Sequence, residues 1–273
     1  MSTHTHTLAF IGGGNMANAI IGGLIRQGIS ADQIQVIEPD ANARERLRGA
    51  YGLNASAQPD AKLQQAGLLV WAIKPQIFKE VAAQVRPFCP DALHLSVAAG
   101  IRSDSIAQWL GSDKVVRAMP NTPAFVGLGQ TALFARGGVK ADGKAWVEQV
   151  MSTTGQFVWV AQESLLDAVT AISGSGPAYV FYFIEAMVQA GVDMGLTHAQ
   201  AHQLAVGTFV GASEMARSSN ETLAVLRERV TSKGGTTHAA ITSMQANNVA
   251  GLFAQALEAA RVRAQALGDE FGN

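Results

Sequence analysis

The chain has 273 residues, 48% of them hydrophobic and 15% charged, with a net charge of −1. That is enough apolar material for two domains or one large one, and the near-neutral charge gives no footing for nucleic acid or an anionic membrane as partner. A single cysteine, Cys89, excludes an internal disulfide and reads as a core filler in a reducing, cytoplasmic setting. No apolar run reaches the roughly 18 residues that a membrane span needs. Met1 to Thr7 is polar and lacks the apolar centre of a signal peptide. His4 and His6 read as part of a frayed terminus rather than a chelate.

Leu8 to Ile11 reads as a buried strand and Asn15 to Arg26 as a helix stopped by Gly28. Between them stands Gly12-x-Gly14-x-x-Ala17, a dinucleotide fingerprint with alanine at its third position. Gly12 permits the tight turn, Gly14 lets a pyrophosphate approach the backbone, and Ala17 allows helix and strand to pack closely. The helix then turns its free N–H groups and positive dipole end toward the phosphates. Because this motif lies between a strand and a helix and opens a βαβ unit, it predicts a dinucleotide held by Ile11, Gly12, Gly13, Gly14, Asn15 and Met16.

Ile34 to Glu38 reads as the second strand. An acid at Glu38 is placed for the ribose hydroxyls of the adenosine half, and its charge repels a 2′-phosphate, which leans toward NADH over NADPH. Arg44, Arg46 and Arg48 follow on a helix, either softening that preference or forming a solvated face. Leu68 to Ile73 is a third strand, apolar enough to be buried on both faces, and it runs into Ala72-Ile73-Lys74-Pro75 at its carboxyl edge. Ligands bind at that edge in an open α/β sheet. Ala72, Ile73 and Lys74 are therefore cofactor candidates, with a plain surface charge as the alternative for Lys74.

His94 to Val97 is the fourth strand, ending in Ala98-Ala99-Gly100. Small residues there let a flat ring such as nicotinamide lie against the backbone of Val97, Ala98 and Ala99. Ser103 and Asp104 are placed to cap a helix over Ser105 to Leu110. Val115 to Met119 is the fifth strand, and Pro120-Asn121-Thr122-Pro123 makes a rigid loop at the same edge, with Asn121 donating either to the cofactor or to a backbone group. Gln130 to Phe134 and Phe157 to Val160 complete the sheet, with a helix over Asp142 to Thr153 between them.

After Val160 strand signals stop and helical periods run to the end. The expected organisation is a doubly wound, Rossmann-type α/β domain over residues 1–162 and an all-helical domain over 163–273. Helices are expected at Leu165 to Ile172, Ala178 to Met194, His198 to Arg217, Glu221 to Arg229, Thr236 to Gln245 and Ala250 to Leu267, with Ser173-Gly-Ser-Gly-Pro177 as a break. The stretch Ala178 to Ala216 carries little charge on any face, more apolar surface than one small bundle can hide, which predicts an obligate homodimer through these helices.

A second informative stretch is Val230-Thr-Ser-Lys-Gly-Gly-Thr-Thr-His-Ala239. Gly234 and Gly235 precede a helix start among the hydroxyls of Thr231, Ser232, Thr236 and Thr237. Free backbone N–H groups with hydroxyl donors make an anion site, suited to a substrate carboxylate because the phosphates are already placed. The alternative is a well-capped helix. His238 beside it reads as an acid or as helix surface. His198 and His202 stand four apart without a third ligand, so no metal is expected. No triad, paired carboxylate or metal cluster stands out. Reducing a ketone needs a proton donor, whereas an imine that arrives protonated needs only hydride and a hydrogen bond to its nitrogen.

The motifs Phe10-Ile-Gly-Gly-Gly-Asn-Met-Ala17, Ala72-Ile-Lys-Pro-Gln76, Ala98-Ala-Gly100, Met119-Pro-Asn-Thr-Pro-Ala124, Ser173-Gly-Ser-Gly-Pro-Ala-Tyr179 and Val230-Thr-Ser-Lys-Gly-Gly-Thr-Thr237 together resemble the pyrroline-5-carboxylate reductases, over nearly the whole chain. The resemblance implies NAD(P)H-dependent reduction of 1-pyrroline-5-carboxylate to L-proline, a Rossmann domain followed by a helical domain that interlocks with its twin, and an active site between one subunit's cofactor and the partner's helices. It implies that Ser232, Gly234, Gly235, Thr236 and Thr237 hold the substrate carboxylate, with the Thr237 hydroxyl bonded to the ring nitrogen. Three positions depart from the family's usual residues: Lys233 where proline is common, Gln58 near an adenine-side asparagine position, and Glu38 where a small hydroxyl residue is frequent. The β-hydroxyacid dehydrogenases share the two-domain plan, but Val180 stands where they carry an acid–base lysine. A non-catalytic nucleotide sensor would have no use for the second, hydroxyl-rich loop.

Overall fold

The structure is a computed structural model and describes residues 7–272; His4 and His6 lie outside the described residues. By internal contacts the chain divides into two compact units, one comprising residues up to Ser175 together with those from Ala260, the other Gly176–Ala259.

The first unit is built on a seven-stranded sheet in the order β2-β1-β3-β4-β5-β6-β7. The strands are β1 (Thr7–Ile11), β2 (Ile34–Ile37), β3 (Ala66–Trp71), β4 (Leu93–Ser96), β5 (Val115–Met119), β6 (Gly129–Ala135) and β7 (Gly155–Trp159). β1 to β5 are mutually parallel; β6 pairs antiparallel to β5, and β7 parallel to β6. Alternation along β1 shows why the sheet is covered twice. Leu8 and Phe10 join the core shared with α1 (Asn15–Arg26) and α5 (Ala141–Ser152), while Ala9 and Ile11 join the core of the opposite face, with α3 (Phe78–Val85) and α4 (Ser103–Leu110). α2 (Ala41–Tyr51) begins where the Asp40 carboxylate accepts from the Ala43 N–H at 2.7 Å and ends at Gly52 in the left-handed region. Cys89 is buried, and burial pushes its thiol up to about 11, so it is an inert filler.

Two expectations are corrected here. Ser103 and Asp104 do not cap α4: Arg102 holds the cap position without a side-chain bond, and Ser103 is the first helical residue. The free N–H of Ser103 is satisfied from far away, by the Glu163 carboxylate at 2.6 Å, which also accepts from the Ser103 hydroxyl. Asp104 instead pairs with Arg136. The helix expected over Leu165 to Ile172 stays α-helical only as α6 (Leu165–Val169) and widens into a π-turn over Thr170–Gly174, where the Ser175 N–H reaches back to the Thr170 carbonyl.

The second unit holds α7 (Gly176–Asp193), α8 (His198–Ser218), α9 (Leu223–Arg229), α10 (Thr236–Ala246) and the first part of α11 (Val249–Phe271). Thr197 and Gln200 form a capping box at the start of α8. Tyr179 and Phe183 of α7 meet Phe253 of α11 edge to face. The buried cluster of this unit is small, Val188, Ala201 and Ala205, and Phe181, Tyr182, Leu204 and Val210 are exposed in the single chain.

Candidate active site

The chain reverses its direction of winding between β1 and β3, and the crevice above that switch point is where an open sheet binds ligands. The glycine turn sits there. The Gly12 N–H donates to the Ile37 carbonyl, and the Ala72 N–H to the Ile11 carbonyl, both at 2.8 Å, so the loops after three strands are tied side by side. Gly12 has φ +96°, and a Cβ on it would meet the Ala72 carbonyl oxygen at 2.5 Å. No other residue fits that position.

Gly13 is closed in as well, against Leu47 and Glu38, whereas a Cβ on Gly14 would meet nothing within 4 Å. The open space lies at the helix start: Gly14 caps α1 with no side-chain bond, leaving the first N–H groups free. That is the space a pyrophosphate requires, and the residues present fit a dinucleotide. The Glu38 carboxylate is fixed by two backbone donors, Gly13 N–H at 2.7 Å and Asp40 N–H at 2.8 Å. Arg44 bends back to donate to the carbonyls of Glu38 and Pro39, while Arg48 pairs with Glu45 on the exposed helix face.

Along the same edge, Ala72 and Ile73 are half-buried and Lys74 is exposed. Val97 is tied to β3 through its N–H to the Trp71 carbonyl at 3.1 Å, Ala98 is buried, and Ala99 is open to solvent. The Asn121 side chain uses both ends on the backbone, its amide donating to the Ser173 carbonyl at 3.0 Å and its oxygen accepting from the Gln130 N–H at 2.9 Å. Of the two roles open to Asn121, it performs the backbone one. A cavity of about 680 Å³ opens at the opposite, amino edge of the sheet, lined in part by Ala66, Leu93, Lys114 and Trp146. None of the cofactor or substrate residues expected from the sequence borders it.

The second loop lies in the other unit. Gly234 turns the chain at φ +75° and Gly235 caps α10 with no side-chain bond to the helix. A Cβ on Gly235 would meet the Ser232 hydroxyl at 2.5 Å, so the serine folds under the turn. Thr236 and Thr237 open α10, whose first N–H groups have no acceptor within the helix. Thr231, counted with the anion loop from the sequence, instead donates its hydroxyl to the Arg227 carbonyl at 2.6 Å and finishes α9. His238 is exposed. His198 and His202 stack at a ring separation of 6.4 Å on α8. Among the described residues no group of three or more His, Cys, Asp or Glu is placed to hold a metal.

Behind the loop that follows β4 lies a charged cluster that no motif in the sequence announced. Buried Arg117 of β5 donates to Glu163 at 2.6 Å, and Arg102 grips Asp167 with two bonds at 3.2 and 3.0 Å. An arginine inside an apolar strand was the available signal, since such a charge requires a buried partner.

A doubly wound sheet with an uncapped glycine turn at its switch point defines a Rossmann-class, dinucleotide-dependent oxidoreductase, followed here by a helical domain. Residues 163–267 match the family model for pyrroline-5-carboxylate reductase dimerisation, and residues 7–100 the model described as NADP oxidoreductase, coenzyme F420-dependent. A pyrroline-5-carboxylate reductase of Pseudomonas aeruginosa is 42% identical over 98% of this chain and 99% of its own. The solved pyrroline-5-carboxylate reductase of Coxiella burnetii superposes with a TM-score of 0.91 at 37% identity, covering 97% of this chain and 99% of that one. The Plasmodium falciparum pyrroline carboxylate reductase, solved with NADP bound, gives 0.86 at 28% identity, covering 97% and 98%. The chain belongs to the pyrroline-5-carboxylate reductase family. It is an oxidoreductase with a nicotinamide cofactor and a homo-oligomerising helical domain, and among the described residues no helix is long and apolar enough to cross a membrane.

Proposed function

We infer that the chain catalyses the NAD(P)H-dependent reduction of 1-pyrroline-5-carboxylate to L-proline, the last step of proline biosynthesis, as a cytoplasmic homodimer or larger homo-oligomer. The observation that carries the chemistry is the start of α10, where Gly235 caps the helix with no side-chain bond and the first N–H groups lack an acceptor in the helix, in a stretch that also carries the hydroxyls of Ser232, Thr236 and Thr237. The N–H groups of the loop, with the hydroxyls of Ser232 and Thr236, receive the substrate carboxylate. The Thr237 hydroxyl accepts from the N–H of the protonated imine, and it donates to the nitrogen as hydride addition gives that nitrogen a lone pair. The substrate arrives as the protonated imine, so no side chain has to deliver a proton during the transfer. The bound nicotinamide supplies the hydride.

The dinucleotide pyrophosphate lies on the Gly12–Met16 turn. The Ala72–Lys74 and Val97–Ala99 backbones take the nicotinamide half, and Glu38 takes the adenosine ribose. A carboxylate fixed at that place favours NADH over NADPH. Residues 163–273 form the dimerisation and substrate domain. Initial rates with pyrroline-5-carboxylate and each reduced cofactor in turn test the reading. Purified protein that oxidises neither cofactor in the presence of the imine overturns it, and a strong preference for NADPH overturns the role of Glu38 alone.

A further inference from the structure

The second part of α11 belongs to the sheet unit and ends against the loop that follows β4. Two glycines mark the closest approach. Gly100 has φ +74°, and a Cβ on it would lie 3.1 Å from the Leu267 Cβ and 3.2 Å from the Phe271 ring. Gly268, on the helix, leaves room for the Arg102 guanidinium, whose Nε would be 2.6 Å from an added Cβ. The Ser105 hydroxyl donates to the Gly272 carbonyl at 2.8 Å, and Phe271 packs on the core that contains the fully buried Ile101 and Ile106. Arg102 is held from its other side by Asp167. Residues 100–105 are thus gripped by groups that come from more than 160 positions later in the chain.

We propose that the last turns of α11, through Leu267, Phe271 and the Gly272 carbonyl, are a clamp that pre-orders the Val97–Gly100 loop and thereby sets the affinity for dinucleotide. The proposal rests on the reading that Val97–Ala99 contact the nicotinamide half. A loop with a left-handed glycine has many conformations available when nothing packs on it. If it has to be ordered at each binding event, the competent fraction falls and the apparent dissociation constant rises in proportion. The clamp touches no reacting atom, so Phe271 and Leu267 are positioning residues, and their loss acts on cofactor affinity rather than on the hydride step.

The test uses the full chain with Phe271→Ala and Phe271→Leu. Kd for NAD+ and NADP+ is measured by calorimetry without substrate, alongside kcat and both KM values. In Phe271→Ala the dinucleotide Kd is expected to rise about tenfold, corresponding to a competent fraction near one in ten, with the imine KM unchanged and kcat at saturation within about twofold. Phe271→Leu restores most of the affinity. An unchanged Kd with a lowered melting temperature overturns the clamp and leaves the tail a stabilising element. A lowered kcat with an unchanged Kd also overturns it. If Phe271→Ala does not fold, Ser105→Ala removes only the bond to Gly272, and a Kd equal to that of the parent overturns the proposal. A parent protein that binds no dinucleotide removes the reading of Val97–Ala99 itself, which is a different failure from a parent that binds and a variant that binds equally well.

Discussion

The two compact units make opposite use of their apolar residues. In the sheet unit Phe10, Leu69, Trp71 and Phe78 are wholly covered by the chain's own helices. In Gly176–Ala259 the buried cluster is three small or medium side chains, while Phe181 is 61% and Val210 65% exposed. The first unit closes two large cores within one chain, leaving Val126, Leu128 and Val158 exposed around β6 and β7, whereas the second has no comparable core of its own. Apolar helix faces of this kind are the surface that a second subunit covers, in keeping with the match to a dimerisation model over 163–267.

The largest expected effect breaks the second unit alone. Phe181→Glu with Leu204→Glu places two charges on the exposed apolar faces of α7 and α8. Each side chain forgoes about 1.5 to 3 kcal/mol of burial, and each new charge must be desolvated. Sedimentation should show monomers, and turnover should fall by about 1000-fold or more because the α10 loop loses its folded support. Dinucleotide binding by the sheet unit should persist. An oligomer of unchanged size would contradict the assignment of these faces.

Next in size is Thr237→Ala. Loss of one preorganised donor is worth roughly 2 to 4 kcal/mol, so kcat should fall by about 30- to 1000-fold. The structure sharpens what the alternative predicts. The cap position of α10 is Gly235 and no side chain caps the helix, so the variant should keep its stability within about 0.5 kcal/mol. A normal kcat with a lowered melting temperature would return Thr237 to a purely local role.

The comparison also explains what could be read from the sequence. β1 to β5 were legible because each is a short, mostly apolar or alternating run closed by a glycine, a proline, a charge or a pair of alanines, and the glycine turn carries its own backbone requirement at Gly12. The antiparallel direction of β6 was not legible, since alternation in Gln130–Phe134 is the same read either way. Groups joined only by the fold were also hidden. Ser103 looked like a cap because caps are local, yet its partner Glu163 lies 60 positions away. Thr231 looked like part of the anion loop because it is adjacent in sequence, but its hydroxyl closes the preceding helix.

From the side of the sheet unit, the comparison sharpens with acid. His94 of β4 is buried beside Trp71, whose indole N–H donates to its Nδ1 at 3.2 Å. Burial, and then the nearby Lys114 charge, pull its pKa from 6.5 down to about 4. The unfolded chain therefore binds a proton between those values that the folded chain refuses. Stability is fully present above pH 6.5 and is lost as pH falls toward 4, by about 3 kcal/mol for this one group. In His94→Gln the fall between pH 7 and pH 4.5, measured by urea unfolding, should be correspondingly shallower. An identical slope in parent and variant would show that other groups govern the acid limb.

The smallest effect expected is on cofactor choice, and here the structure alters the design of the test. The proposed repulsion between Glu38 and a 2′-phosphate is worth about 1 to 3 kcal/mol for a poorly screened pair. Its two oxygens also hold the Gly13 and Asp40 N–H groups, at 2.7 and 2.8 Å. Glu38→Ser removes the charge but leaves both donors without their acceptor, so it should weaken NADH and NADPH together while shifting their ratio toward NADPH. Glu38→Gln removes the same charge and retains one acceptor oxygen, which keeps the Gly13 turn closer to its parent form. The ratio of the two dissociation constants should therefore shift in the same direction in both variants, with the common loss larger for serine. A ratio unchanged in Glu38→Gln, whatever the absolute affinities, would mean that Glu38 shapes the glycine turn and does not select the cofactor.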